Sequence, residues 1–260
     1  MSGASGTGTR ASHRAALAAL PRAEWAAYLA EHSGLPGPRA NLDLAQAVAD
    51  EASPEQIAAF AGSPDEYTAL CGAVGLGRLS AEGASAEAIA EPRLEALAED
   101  PRWRVREGVA MALQRIGDAD RRALWALAER WTDLATALPH APRLLLLRAV
   151  AAGIAEPRLV KAPEDARRAL RILDRITAAL TALTPADRRG REDVRVLRQT
   201  LGYAWSVAAV GSPTEGFEAL ERLAALDDPD LTGIVRSNAA KSRLARLDPV
   251  RATALRGGVG

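Results

Sequence analysis

The sequence predicts an all-α protein. Alanine and leucine, both strong helix formers, dominate the 48% of residues that are hydrophobic. Apolar residues recur at steps of three and four, whereas no run of alternating β-branched residues is bounded by turns. At 260 residues the chain is long enough for a full core, in one elongated domain or two compact ones.

Helix-start signals divide the N-terminal part of the chain into short helices. Residues 1–10 are rich in glycine, serine and threonine and are expected to form a flexible tail. Ser53 and Gln56 are spaced as a capping box, and Ser63 is expected to start the next helix in the same way. Helices are predicted over 11–33 and 41–52. Two more are predicted to begin at Ser53 and at Ser63, and the second of these is expected to run to about Leu79.

Glycines 72, 75 and 77 fall inside the last of these predicted helices. Each destabilises a helix by up to ~1 kcal/mol relative to alanine. We therefore expect neighbouring helices to pack very closely against them. A phosphate-binding loop is the weaker interpretation, because no strand precedes the glycines.

Residues 94–117 form two predicted helices separated by Asp100 and Pro101. Asp100 can cap the second helix through its side chain, and Pro101 stands where a missing N–H removes no helical hydrogen bond. Gly117 is expected to end that helix in the left-handed conformation.

This stretch resembles a HEAT repeat, in which an Asp-Pro turn precedes Val-Arg and a helix of small residues. The matching residues are Asp100, Pro101, Val105, Arg106, Ala112 and Leu113. A second copy, with two extra residues after the proline, contains Asp228, Pro229, Val235, Arg236, Ala239 and Leu244. Variant leucine-rich repeats share the same core, and in both families the Asp and Arg are mostly structural.

The resemblance implies a right-handed α-solenoid of about five or six stacked helix pairs over residues 11–250, with a concave groove. In the C-terminal half, Asp120 is predicted to start a helix through about Leu138, with Trp131, Leu134 and Leu138 on its buried side. Further helices are predicted over 143–154, 163–183, 192–210 and 214–226. Residues 251–260 are expected to form a flexible tail.

The net charge of zero conceals a division along the chain. Residues 41–100 carry twelve acidic residues against two arginines, whereas residues 158–200 and 231–260 each carry a net charge of +5. A neutral chain argues against a surface that coats nucleic acid. The two halves are expected to bind different partners, or each other in a head-to-tail oligomer.

Arginines and tryptophans supply the candidate contacts with a partner. Arg168, Arg171 and Arg175 share one helix face, which fits an acidic protein segment or a phosphate backbone if it lies beside Arg191, Arg195 and Arg198 in a groove. The alternative is a solvated face. Trp125 lies off its helix's buried stripe and is predicted to be exposed, and Trp103 either packs over a turn or faces a partner. The candidate partner-binding residues are Trp103, Arg121, Arg122, Trp125, Arg168, Arg171, Arg175 and Arg195.

No pattern in the sequence indicates catalysis, a metal or a cofactor. The chain has one cysteine, Cys71, and three scattered histidines, and it lacks HExxH, GxSxG, Walker and CxxC motifs. No apolar run reaches the ~18 residues of a membrane helix. A single cysteine suits a reducing compartment, so a cytoplasmic protein that does not contact a membrane is expected.

The sequence therefore predicts a non-catalytic HEAT-repeat interaction or scaffold protein that binds a protein partner through its concave surface. The alternative is a HEAT-like DNA-binding protein or an alkylpurine DNA glycosylase, for which the resemblance is at the level of fold alone. Trp131 and Asp133 are the nearest counterparts of that enzyme's aromatic and acid. Their two-residue spacing places them on different helix faces, so no catalytic residue is transferred.

Overall fold

Every regular element of the protein is a helix in the part of the chain that a computed structural model describes, residues 9–257 without the side chains of residues 84–86. The all-α prediction is confirmed. The chain divides into two compact units, Met1–Ala119 and Asp120–Gly260. Residues 1–8 of the predicted N-terminal tail lie outside the described part, and Thr9 already caps the first helix by accepting a hydrogen bond from the Ser12 N–H.

The first unit begins with a helix that a short 3₁₀ turn at Arg22–Glu24 connects to the next. Its α-helices are α1 (Arg10–Ala19), α2 (Trp25–His32), α3 (Leu42–Glu51), α4 (Pro54–Ala61), α5 (Glu66–Ser80), α6 (Ala84–Leu97) and α7 (Trp103–Ala119).

Helix α5 is the centre of the first unit and packs against α3, α4, α6 and α7. Its glycines make these contacts possible. A Cβ atom at Gly72 would overlap the backbone of Ala61 in α4, and one at Gly77 would lie 2.5 Å from the Cα of Ala112 in α7. The prediction that the glycines mark close helix packing is confirmed.

Helices α3, α5 and α7 lie side by side and run in the same direction. The Tyr67 hydroxyl donates to the Asn41 carbonyl at 2.6 Å near the start of α3 and α5, and Arg78 donates to the Ala52 carbonyl at 2.8 Å near their ends. Leu70 likewise lies against Gly108 of α7. Helices α4 and α6 occupy the intervening positions in the sequence and cover α5.

The predicted helix ends in this unit are partly confirmed. The capping box of Ser53 and Gln56 is present. The N-cap of α5 is Asp65 and not Ser63, because the Asp65 carboxylate reaches the Thr68 N–H at 2.8 Å. The prediction for Gly117 is wrong: α7 continues to Ala119, and Gly117 does not have a positive φ angle.

The Asp100-Pro101 turn is held by arginines. The buried Arg106 guanidinium donates to the carbonyls of Asp100 and Pro101, at 2.6 and 3.0 Å. Arg102 pairs with the Asp100 carboxylate at 2.7 Å and also donates to the Ser63 carbonyl. Arg106 therefore has a structural role, whereas its counterpart Arg236 in the second copy is exposed.

The second unit continues the helical pattern with nine described α-helices. They are α8 (Arg121–Thr136), α9 (Leu144–Ile154), α10 (Pro163–Thr181), α11 (Pro185–Arg188), α12 (Glu192–Gly211), α13 (Pro213–Ala224), α14 (Pro229–Ala239), α15 (Ser242–Leu247) and α16 (Pro249–Gly257).

Several helices of this unit lie next to helices that do not directly follow or precede them in the chain. Helix α10 packs beside α8 and α13, and α12 packs beside α9 and α14. Asn238 of α14 donates to the Leu201 carbonyl of α12 at 2.8 Å and accepts from the Ser206 N–H at 2.8 Å. These buried bonds fix the relative position of the two helices along their axes.

Two predictions for this unit need correction. Leu134 and Leu138 are 45% and 90% exposed, because the buried side of α8 continues through Thr132 and Ala135 and the helix ends at Thr136. The predicted flexible tail at residues 251–260 is helical over residues 251–257, which belong to α16, while residues 258–260 lie outside the described part. The Asp248 carboxylate caps α16 at the Arg251 N–H, and Ala252 and Leu255 are buried.

The two units differ in charge. Residues 1–119 hold ten arginines against sixteen acidic residues, a net charge of −6, and residues 120–260 hold 23 basic against 17 acidic residues, a net charge of +6. None of the described helices has the length and apolar character needed to cross a membrane.

Candidate functional site

An open pocket in the second unit, of about 490 Å³, is lined by five arginines. It lies where α11 turns into α12, beside the first turn of α14. We call it the arginine pocket. Its arginines are Arg188, Arg189, Arg191, Arg195 and Arg198, and its acidic lining residues are Glu192 and Asp230.

Arg188 forms the floor of the arginine pocket. Its side chain is only 6% exposed and pairs with Asp228 at 2.6 Å and Asp230 at 2.7 Å, while its Nε donates to the Leu183 carbonyl at 2.9 Å. The guanidinium lowers the pKa of the Asp228 carboxyl, against the opposing effect of partial burial. Asp228 also caps α14 at the N–H groups of Asp230 and Leu231. One ion-pair cluster thus joins α11 to the start of α14.

Three further arginines stand around the pocket, each with one acidic neighbour. Arg191 pairs with Asp193 at 2.7 Å, Arg195 with Glu192 at 2.7 Å, and Arg198 with Asp230 at 2.9 Å. The side chains of Arg195 and Arg198 remain 56% and 44% exposed. The Arg195–Glu192 pair is exposed on both sides and contributes little to stability, so an incoming anion can replace Glu192 with little loss of free energy.

Arg189 differs from its neighbours. It is exposed, and its guanidinium makes no hydrogen bond or ion pair within residues 9–257. The next residue, Gly190, has φ = +74°, a conformation that glycine adopts without strain, and it makes the turn between α11 and α12. The pocket therefore presents one unpaired guanidinium, Arg189, beside two exposed arginines that are paired, Arg195 and Arg198.

The predicted arginines fall in two places. The structure brings Arg195 together with Arg191 and Arg198 and adds Arg188 and Arg189, which the sequence did not indicate. The condition set for the helix face of Arg168, Arg171 and Arg175, that it lie beside Arg191, Arg195 and Arg198, is not met in this pocket. Arg168, Arg171 and Arg175 are exposed on α10 and do not line this pocket. Arg175 pairs with Asp133, and Arg171 lines a separate pocket that also contains acidic residues.

The prediction that Trp125 is exposed is wrong. Trp125 is 1% exposed, and its indole N–H donates to the Asp165 carboxylate of α10 at 2.6 Å. Arg121, beside it, lies 3.6 Å from the same carboxylate, whereas Arg122 is exposed. Trp131 is also buried while Asp133 is 68% exposed, so the two point in different directions, as their spacing predicts.

Trp103 is the exposed tryptophan of the chain. It is 50% exposed, whereas the other four tryptophans are at most 1% exposed. The Arg104 guanidinium lies 3.6 Å from the centre of its ring. Trp103 lines a pocket of about 650 Å³ in the first unit, which we call the Trp103 pocket, together with Pro36, Pro38, Asp65 and Glu66.

The described residues contain no group of side chains that could hold a metal ion. Cys71 is completely buried in α5, and this burial raises the pKa of its thiol. A buried, protonated thiol is a poor nucleophile, so Cys71 has the position of a core residue.

Comparison with known proteins gives no assignment, because no protein-family model and no curated protein matches the chain.

Proposed function

We propose that the protein is a non-catalytic interaction module of HEAT-like architecture, and that the arginine pocket binds an acidic segment of a partner protein. The observation that carries this proposal is the convergence of five arginines on one open pocket, one of them unpaired. A guanidinium binds a carboxylate through two parallel hydrogen bonds, so arginine suits such a ligand better than lysine does.

The packing within each unit supports the HEAT-like part of the proposal. In stacked helical hairpins, alternate helices lie side by side in the same direction. Helices α3, α5 and α7 have this arrangement in the first unit, and α12 lies beside α14 in the second. The Asp-Pro turn at Asp100 with its buried Arg106 is a further similarity. The single cysteine agrees with the cytoplasmic location that we propose.

The pocket favours an acidic peptide over nucleic acid. Glu192, Asp193 and Asp230 are interspersed among the arginines and would repel a continuous row of phosphates. No aromatic side chain lines the pocket, so bases have no stacking surface there. A peptide can place separate carboxylates on Arg189, Arg195 and Arg198.

The proposal predicts that Arg189→Ala weakens binding of a fluorescein-labelled peptide of alternating aspartate and glycine by roughly fivefold to tenfold, measured by fluorescence anisotropy. The loss corresponds to one charge-assisted hydrogen-bonded contact at a partly exposed site. Arg236→Ala is the matched control, because Arg236 is also an exposed arginine of this unit and lies outside the pocket. Its affinity should stay within about twofold of the unaltered protein.

Two results would contradict the proposal. Equal affinities for the Arg189→Ala and Arg236→Ala proteins would remove the pocket from the interaction. The second result would be that duplex DNA displaces the labelled peptide at the same concentration of charges, and that this competition depends steeply on salt. It would favour nucleic acid over a protein partner.

A further inference from the structure

The Trp103 pocket has the chemistry of a second binding site, in the first unit and with the opposite charge. Its apolar wall consists of the half-exposed Trp103 ring together with Leu35, Pro36 and Pro38. An exposed tryptophan beside prolines is a large rigid apolar surface, and tryptophan is the residue type most enriched where binding energy concentrates.

Two carboxylates, Asp65 and Glu66, also line this pocket, and one oxygen of each already accepts a hydrogen bond. Asp65 accepts from Thr68 through Oδ1, at 2.8 Å from its N–H and 2.6 Å from its hydroxyl. Glu66 accepts the Arg104 N–H through Oε1 at 3.1 Å. Within residues 9–257, the second oxygen of each carboxylate has no hydrogen bond, so both can accept one from a ligand.

The two arginines at the pocket, Arg104 in its lining and Arg102 nearby, each pair with another carboxylate, although Arg102 also attracts Asp65 and Glu66 electrostatically. The Arg104 guanidinium donates to Glu107 at 2.9 Å and to the Pro38 carbonyl at 2.9 Å. Arg102 pairs with Asp100 at 2.7 Å and donates to the carbonyls of Ser63 and Pro64. With Arg104 balanced by Glu107 and Arg102 by Asp100, Asp65 and Glu66 leave a net negative charge at the pocket.

We infer that the Trp103 pocket binds a lysine or arginine side chain from a basic segment of another polypeptide. The apolar stem of such a side chain can lie along Trp103 and Pro36, and its charged end can reach the free oxygens of Asp65 and Glu66. The ring of Trp103 also attracts a cation through its face, and Arg104 covers one of its two faces. This inference does not depend on the arginine pocket, which belongs to the other unit.

Trp103 makes the test specific. Because the other four tryptophans are buried, quenching of intrinsic fluorescence by acrylamide reports mainly on Trp103. The experiment uses the full chain at low protein concentration in moderate salt, and adds short unlabelled peptides of lysine and glycine, of glutamate and glycine, or of proline and glycine. We expect the lysine peptide alone to reduce quenching, with a saturable dependence on its concentration.

Glu66→Gln tests the carboxylate, because the glutamine carbonyl can keep the hydrogen bond from the Arg104 N–H while the charge is lost. It should weaken lysine-peptide binding about fivefold, as expected for one partly exposed charge pair. Glu24→Gln is the control, since Glu24 is an exposed acid of the same unit outside the pocket. Circular dichroism establishes that both variants are folded, and Arg189→Ala should leave this binding unchanged.

Equal binding by the Glu66→Gln and Glu24→Gln proteins would overturn the inference. Equal protection by the proline or glutamate peptide would also overturn it, because the site would not then select a cation. Protection that appears when only the protein concentration is raised would identify a second copy of this chain as the occupant, and would overturn the assignment to another polypeptide.

Discussion

At the scale of single residues, Arg188 shows how one buried cation can organise a site. It satisfies two carboxylates, Asp228 and Asp230, and the Leu183 carbonyl. Because Arg188 is held in these bonds, the exposed arginines around it are the ones available to a ligand. The role of Arg188 depends on residues 40 and 42 positions later in the chain. No local pattern therefore distinguishes it from Arg189, which follows it directly.

Arg188→Met should destabilise the second unit by about 2–3 kcal/mol at pH 7, because Asp228 and Asp230 lose their buried partner. The free energy of unfolding from urea titration measures this. Asp228 keeps its bonds to the α14 backbone and Asp230 keeps Arg198, which limits the loss. Arg195→Met is the matched control and should change stability by less than about 0.5 kcal/mol, since its pair with Glu192 is exposed.

The destabilisation by Arg188→Met should also depend on pH. The pKa of Asp228 is lowered in the folded protein, so the stabilisation from its ion pair is present above the unfolded pKa, at about 4. It is lost as the pH falls through the lower folded pKa. The difference between Arg188→Met and the unaltered protein should therefore shrink below about pH 4. A difference in unfolding free energy that stays constant from pH 7 to pH 3 would contradict this account.

At the scale of helices, local signals predict most starts and fewer ends. Asp120 begins α8 as predicted, because its carboxylate caps the helix through short-range bonds. Asp248 and Pro249 carry the same Asp-Pro signal as Asp100 and Asp228, so α16 was identifiable from the sequence. Burial depends on distant partners: Trp125 can be buried because Asp165 of another helix accepts a hydrogen bond from its indole N–H. Among the arginines of the arginine pocket, Arg195 is indicated by helix periodicity and charge in the sequence. Arg188 is recognised as part of the pocket only from the fold.

Gly72→Ala tests the close packing of α4 on α5. Alanine favours a helix over glycine by ~1 kcal/mol, yet we expect a net loss of about 2–3 kcal/mol because a methyl group would overlap the Ala61 backbone. Thermal and urea unfolding measure the change. Gly62→Ala is the control: a Cβ there would make only ordinary contacts and φ is −91°, so stability should be unchanged or rise by up to ~1 kcal/mol. Equal stability of the two variants would mean that α4 shifts freely.

At the scale of the whole molecule, the chain consists of two compact units that have opposite net charge, and each contains buried leucines. Leu70 and Leu113 are buried in the first unit, and Leu173 and Leu201 in the second. The division falls between Ala119 and Asp120. Asp120 belongs to the second unit and caps α8 of the same unit. The charge split was visible in the sequence, whereas the position of the boundary was not, because contiguous helical patterns run on both sides of it.

Fragments of residues 9–119 and 120–257 should therefore each fold when they are produced separately. Circular dichroism should show helical content and a cooperative melt for both. At pH 7 the first fragment should bind an anion exchanger and the second a cation exchanger, since their net charges are −6 and +6. The net charge of the full chain is zero. A fragment without cooperative unfolding would show that its core needs the rest of the chain.

The burial of Cys71 has a practical consequence for studying this protein. Because the chain's one thiol is enclosed in α5 and stays protonated, maleimide dyes and spin labels will not reach it in the folded state. A cysteine introduced at any exposed position would then be the one thiol that these reagents label. Probes for distance measurements can be attached near either pocket while the native cysteine is left in place.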